Sequence, residues 1–274
     1  MAGPLSAEEI AHFKEWGFVV KRNYLSQELC AKARDWVWEN SESAATSIGR
    51  SGKPMDRHDR DTWVGPFTPD EKVMAHQKEL WEGGNAEMEY LNSNRWIVHQ
   101  FGSAKAFIDV LPRRMMPVAE QLLGQPCVKP VVGAPTNAVN WGWERGGGVH
   151  GCGMYATVPM VEGDGEGCQK RVENNAAGGL QLGLHVDGLA CSLGCVGYID
   201  DVPEDGGGFA IYPGCHRRMF HAFENRHAVT TTDAYTEVQK LCGDYQRPYV
   251  FTGSCGDVVR RHPRCFSRQA LVSF

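Results

Sequence analysis

Hydrophobic and polar positions change period along this chain, and each change marks an element. Ser6-Ala-Glu-Glu9 has the spacing of a capping box, with Ser6 as cap and Glu9 reaching back to it. Ile10 and Phe13 then form an apolar stripe at helical spacing, and Gly17 suits the helix end. Phe18-Val-Val20 reads as a strand, and a second helix opens at Ser26 with Leu29, Ala33, Trp36 and Val37 on one face. Residues 41–70 are polar and interrupted by proline, the pattern of a long surface loop. From Ala104 to Leu123 the spacing is helical again, broken by Pro112 and Pro117 into two pieces or a kink and closed by Gly124.

Toward the C-terminus the period shortens to that of strands. The run Gly178-Gly-Leu-Gln-Leu-Gly-Leu-His-Val-Asp-Gly188 alternates Leu180, Leu182 and Leu184 with Gln181 and Gly183. Leu193-Gly-Cys-Val-Gly-Tyr-Ile199 reads as the next strand, ended by Asp200-Asp-Val-Pro-Glu-Asp-Gly-Gly-Gly208. Phe209-Ala-Ile-Tyr212 is a third, closed by a turn at Pro213-Gly-Cys-His216. Arg247-Pro-Tyr-Val-Phe251 and Gly256-Asp-Val-Val-Arg-Arg-His262 predict two late strands joined by a tight turn. Short strands parted by Gly, Pro and Asp turns mark a β-sandwich or jelly roll.

Residues 141–179 fit neither period. They carry Gly146-Gly-Gly148, Gly151, Gly153 and the run Gly163-Asp-Gly-Glu-Gly167. No Lys-Ser/Thr follows these glycines, which excludes a Walker phosphate loop. The strand-then-helix setting of a dinucleotide fingerprint is missing too. Two readings stay open, a mobile loop near the mouth of a barrel and an insertion without a role.

Composition narrows the class. With 274 residues, 42% of them hydrophobic, the chain can bury one substantial core, so residues 1–274 are expected to form one domain. Within it, residues 1–125 read as helical and strand support, and residues 126–274 as the β core. A net charge of -5 leaves no basic excess for a phosphate backbone, so nucleic acid is not expected as a partner. No apolar run approaches the ~20 residues of a membrane span. Neither a signal peptide at the start nor a Ser-Lys-Leu tail at the end is present, and a cytoplasmic protein is the expectation. The ten cysteines are scattered, which argues for free thiols, and Cys191 and Cys195 read as structural rather than zinc-binding. Arg57-His-Asp-Arg-Asp61 reads as a solvated charge run, with contact to an anionic substrate or cover of the barrel mouth as the alternative.

The candidate chemistry sits at His185-Val-Asp187. On a strand, residues i and i+2 share a face, so an imidazole and a carboxylate would project together there. A second histidine would complete a facial triad, which holds Fe(II) on one side and leaves its other positions open.

Taken together, His185-Val-Asp, Tyr198-Ile-Asp-Asp, Gly206-Gly-Gly-Phe, Pro213-Gly-Cys-His-Arg217 and Gly256-Asp-Val-Val259 resemble the phytanoyl-CoA dioxygenase family. Leu5-Ser-Ala-Glu-Glu with Phe13 and Gly17-Phe-Val-Val20, and Val118-Ala-Glu-Gln-Leu-Leu-Gly124, agree with it. The resemblance implies a mostly β chain with flanking α-helices, folded as a double-stranded β-helix, the jelly-roll or cupin-like barrel. It also implies Fe(II) as cofactor and 2-oxoglutarate and O2 as co-substrates, and it admits ascorbate. The implied reaction hydroxylates a C–H bond of a small-molecule or acyl substrate and releases succinate and CO2. Asp187 argues against a halogenase, which needs a small residue at that place.

In the family the strand after Gly-Asp runs to one histidine and, five residues on, to a second that binds the metal. Here His262 matches the first and Ser267 falls at the second, so the segment from His262 to Arg268 looks shortened. Arg268-Gln-Ala-Leu-Val-Ser273 resembles the family's last strand, whose arginine grips the distal carboxylate of 2-oxoglutarate. A planar guanidinium suits that task through paired charge-assisted bonds. Two readings remain open. In one, His185, Asp187 and His262 hold iron and Arg268 binds 2-oxoglutarate. In the other, the chain is a non-catalytic jelly-roll binding protein or a defective isoform without a third ligand. His216 belongs to its turn, and His150, His221 and His227 read as surface or loop residues. Trp141, Trp143 and Tyr155 are candidates for an apolar pocket or for plain packing.

Overall fold

The computed structural model describes residues 3–82, 88–91, 95–100, 105–123, 152–157, 193–203, 208–222, 249–261 and 267–269. The capping box forms: the Glu9 N–H donates to Ser6 Oγ at 3.2 Å, and the Ser6 N–H donates to Glu9 Oε2 at 2.7 Å. It opens α1 (Ala7–Trp16), and Gly17, at φ 79°, closes that helix by donating its N–H to the Phe13 carbonyl. Lys21 Nζ lies 2.9 Å from Glu9, which ties α1 to β1 (Phe18–Lys21). α2 (Gln27–Asn40) starts after the Ser26 cap and buries Cys30, Ala33 and Val37.

Residues 41–70 are not the plain surface loop that their composition suggests. α3 (Glu42–Thr46) and a short 3-10 helix (Arg60–Trp63) interrupt them. Ala44, Met55 and Phe67 are buried in the same core as α2. The Met55 N–H donates to the Ala44 carbonyl, and Ile48 and Thr68 exchange backbone hydrogen bonds. Three apolar anchors spaced this widely have no period, which is why the pattern hides them. The charge run 57–61 is exposed, Arg57 pairs with Asp35, and Asp59 caps the 3-10 turn. That is the solvated reading.

α4 (Glu71–Glu82), β2 (Met88–Leu91) and β3 (Arg95–Gln100) follow, none of them expected from periodicity. β4 (Cys152–Thr157) lies within the glycine-rich stretch 141–179, so part of that stretch is a strand rather than a loop. It completes the antiparallel sheet β2-β3-β4, with Arg95 opposite Thr157 and Gln100 opposite Cys152.

The helical stretch divides as expected into α5 (Lys105–Val110) and α6 (Pro112–Leu123). Pro112 sits at the first position of α6, where a missing N–H costs little. Pro117 stays inside α6 and removes the donor for the Arg113 carbonyl. The next two carbonyls also accept from side chains: Tyr24 Oη donates to that of Arg114 at 3.0 Å, and Arg260 Nη2 to that of Met115 at 2.6 Å. No helix among the described residues is long and apolar enough to cross a membrane.

Two more antiparallel sheets carry the C-terminal motifs. One is β1-β8-β5, with β5 (Gly194–Gly197) and β8 (Val258–Arg261). The other is β7-β6-β9, built from β6 (Phe209–Ile211), β7 (Tyr249–Val250) and β9 (Ser267–Gln269). After β6 the Pro213-Gly-Cys-His216 segment is not only a turn. It reverses at Gly214, φ 77°, and runs straight into α7 (Cys215–Ala222).

β8 organises these layers because its side chains alternate between two cores. Val258 packs with Cys30, Val37, Phe107, Val110 and Met115 of the helical layer. Val259 packs with Phe18, Phe209, Ile211, Met219 and Phe251 on the other side. Burying each valine contributes about 1.5–3 kcal/mol. The sheet β1-β8-β5 is thus sandwiched between the helices and the sheet β7-β6-β9. The strand expected over 178–188 lies outside the described residues, so the described part is two facing sheets with a helical layer, and the third sheet β2-β3-β4.

Candidate functional site

The expected metal ligands His185, Asp187 and His262 lie outside the described residues, as do Trp141, Trp143, His150, His227 and Cys191. Among the described residues no group of three or more His, Cys, Asp or Glu side chains could hold a metal ion. As a donor set, two imidazoles and one carboxylate match the ligand chemistry of Fe(II) with open positions. What the structure describes is the frame on either side of them.

That frame has three edges. β5 starts a few residues after Asp187, β8 ends at Arg261 immediately before His262, and β9 carries Arg268. In register, Arg268 is opposite Ala210 and Ser267 is opposite Ile211. Ile211 and Phe209 belong to the core between the sheets, whereas the fully buried Ala210 between them belongs to neither cluster. His216 is buried at the start of α7, and its Nε2 is 3.2 Å from the Lys14 carbonyl. It pins α7 to α1. Tyr155 lies on β4, opposite Ile97, and His221 lies in α7.

The corner where β8 begins is held by both backbone and side-chain hydrogen bonds. Gly256 sits there at φ 94°, a conformation that favours glycine, and an added Cβ would lie 2.8 Å from Gln27 Nε2 and 3.1 Å from the Leu25 carbonyl. Its own carbonyl accepts from the N–H groups of Tyr24 and Leu25, both at 2.9 Å. Asp257 is buried, and its carboxylate gathers three donors. The Asn23 N–H reaches Oδ1 at 2.7 Å, while Arg22 Nη1 at 2.7 Å and the Ser254 N–H at 3.1 Å reach Oδ2. Burial alone would raise the pKa of Asp257, but the bonds from Arg22, Asn23 and Ser254 outweigh it and hold the carboxyl below its usual range.

Arg22 then links the carboxylate to an aromatic stack. Its guanidinium lies 4.9 Å from the centre of the Phe251 ring, and Phe251 stacks on Tyr198 at 4.0 Å and 9°. The Tyr198 hydroxyl accepts from the Phe209 N–H at 3.1 Å, and burial pushes its pKa well above the ordinary phenol value. Tyr198 is a strut that joins the two sheets through its ring stack and its hydroxyl. The Gly-Asp and Tyr-Ile-Asp-Asp motifs serve here as a clamp, setting the position from which β8 runs toward His262.

Arg260 is a feature that periodicity did not single out. It is only 3% exposed, faces the helical layer, and is flanked in register by Val19 and Cys195. Nη2 donates to the Met115 carbonyl, and among the described residues Nε and Nη1 have no nitrogen or oxygen partner, with the Cys195 thiol as the guanidinium's other polar neighbour. Burial lowers the pKa of this guanidinium, and burial likewise pushes the Cys195 thiol up to about 11, against the influence of Arg260. No carboxylate among the described residues pairs with this buried guanidinium, and an unpaired buried charge costs stability. Arg260→Met, of similar length and apolar, is expected to leave stability unchanged or to raise it in urea denaturation. A loss of stability would show that the bond to the Met115 carbonyl outweighs the cost of burial.

No family model matches the chain, and no curated protein matches it in sequence. Among solved structures it is similar to the non-heme alpha ketoglutarate dependent carbocyclase SnoK from nogalamycin biosynthesis. That likeness has a TM-score of 0.38 at 14% identity and covers 98% of this chain and 78% of SnoK. It is also similar to AviO1 from Streptomyces viridochromogenes Tue57, with a TM-score of 0.41 at 15% identity, covering 99% of this chain and 90% of AviO1. Likenesses at these scores carry neither fold nor activity across. The functional reading rests on this chain's own residues.

Proposed function

We propose that this chain is an Fe(II)- and 2-oxoglutarate-dependent oxygenase that hydroxylates a C–H bond of a small-molecule or acyl substrate. The observation that carries this reading is the order of its motifs on the frame. His185-Val-Asp187 precedes β5, the Gly256-Asp257 clamp launches β8 directly toward His262, and Arg268 lies on β9 of the facing sheet. Bound iron, with 2-oxoglutarate and O2, would supply the oxidising chemistry. The chain's own tasks are to position and to exclude water. His185, Asp187 and His262 would hold the metal through two imidazoles and a carboxylate. Arg268 would pair with the distal carboxylate of the 2-oxo acid, and the inter-sheet core around Phe209, Ile211 and Val259 would keep the layer beneath dry.

The competing reading is a jelly-roll binding protein without catalysis, and Ser267, standing where the resemblance expects the metal-binding histidine, favours it. Anaerobic addition of Fe(II) and 2-oxoglutarate separates the two. The oxygenase should develop the visible metal-to-ligand charge-transfer band of the chelated 2-oxo acid. Folded protein that binds Fe(II) without the band, or binds no Fe(II), would sink the oxygenase reading in favour of the binding protein.

A further inference from the structure

We propose that Cys30 and Cys255 form a reversible disulfide on exposure to a peroxide, tying α2 to the turn that launches β8. Both thiols are free in the reduced chain. They converge from opposite ends of the sequence on one notch at the end of β5. Cys30 Sγ lies 4.0 Å from the Tyr198 carbonyl, and Cys255 Sγ donates to the next carbonyl, that of Ile199, at 3.3 Å. The two sulfurs thus lie against successive carbonyls of one chain segment, and after burial Cys255 is the main influence that raises the Cys30 thiol. Arg34 lines the same notch. Its Nη1 donates to Cys255 Sγ at 3.3 Å and also to the Ile199 carbonyl. Asp201 fixes the other side by accepting from the Cys255 N–H at 2.8 Å.

The two cysteines are not equivalent. Cys30 is fully buried on the inner face of α2, and burial, followed by the influence of Cys255, pushes its thiol up to about 12. Cys255 is 8% exposed and sits between the exposed Ser254 and the Gly256 turn. An oxidant therefore meets Cys255 first. Its sulfur attacks one oxygen of hydrogen peroxide, the O–O bond breaks, and the thiol becomes a sulfenic acid with release of one water. The Cys30 sulfur then attacks the Cys255 sulfur. An S–S bond forms, the S–O bond breaks, and the Cys30 proton leaves with that oxygen as a second water. Two thiols are oxidised and one peroxide is reduced. The Arg34 donor beside the attacked sulfur is the feature that sets this pair apart from Cys215, which is buried in the inter-sheet core.

The consequence falls on the clamp. Cys255 immediately precedes Gly256 and Asp257, so the cross-link would fasten to α2 the turn from which β8 runs toward His262. The test uses the full chain, treated with one equivalent of hydrogen peroxide under native conditions, alkylated, and digested without reductant. The expected product is a Cys30–Cys255 linked peptide pair that dithiothreitol releases. In Cys30→Ser the linked pair is absent and a dimedone adduct accumulates on Cys255. Two results would overturn the proposal: wild-type protein in which both cysteines stay alkylatable after peroxide, or a Cys255 that links equally to other cysteines.

Discussion

His185→Ala and Asp187→Ala are each expected to lose Fe(II) binding by more than about 100-fold, since removing even an outer-shell partner of a metal ligand costs about 10–100-fold. Each side chain supplies one of only three protein bonds to the metal in the proposed site, and neither neighbour in His185-Val-Asp187 can substitute. Anaerobic Fe(II) titration followed by equilibrium dialysis reads this directly and needs no knowledge of the substrate. Arg268→Ala serves as the contrast. It should weaken 2-oxoglutarate binding and spare Fe(II), because its guanidinium is assigned to a carboxylate and not to the metal. Unchanged iron affinity in both ligand variants would remove the basis of the proposed function. Equal loss of iron and 2-oxoglutarate in Arg268→Ala would instead assign Arg268 to folding, at the central pair of the β6–β9 register.

Asp257→Ala is the largest expected effect on stability, a loss of about 3 kcal/mol. Hydrogen bonds to a charged group contribute about 1.5–3 kcal/mol each. Asp257 receives them from Asn23, Ser254 and Arg22, and water recovers part of the loss at this partly open edge. Against a typical domain stability of about 5–15 kcal/mol, that loss is a large share. The variant also releases the Arg22 guanidinium from the face of Phe251 and so loosens the stack on Tyr198 that joins the two sheets. Urea denaturation of wild type and variant measures it, and a difference below about 1 kcal/mol would contradict the assignment.

The same carboxylate sets an acid limit. Its folded-state pKa lies below the ordinary value, so its contribution is fully present above the unfolded value of about 3.9. That contribution is lost as pH falls through the folded pKa. Wild-type stability should therefore decline below about pH 4, and Asp257→Asn should show a flatter profile over that window. Parallel profiles would mean that other carboxylates carry the acid sensitivity.

Local signals in this chain were readable to the degree that they are local. The Ser6 capping box, the Ser26 cap, the Gly17 stop and the division of 104–123 ahead of Pro112 all depend on residues within a few positions of one another. They appear in the structure as read. The strand segments around Val196, Phe209 and Val258 were also legible, because a buried strand has a period that its own side chains display, whereas the strand at Arg268 was read through the family resemblance. Elements without a period were not. Met55 and Phe67 anchor residues 41–70 through contacts with α2 and α3, and β4 hides among glycines that blur its alternation.

For the candidate site, the amino-acid order alone determined the residue types that suit Fe(II) and a 2-oxo acid, and their succession along the chain. Only the tertiary structure decided what the Gly256-Asp257 motif does, because its three donors come from residues 22, 23 and 254 and its aromatic partners from residues 198 and 251. The same holds for Arg260 and for the meeting of Cys30 with Cys255. A hydrogen bond or a thiol contact needs atoms within about 3–4 Å, and no spacing in the sequence says which distant segments folding brings to that distance.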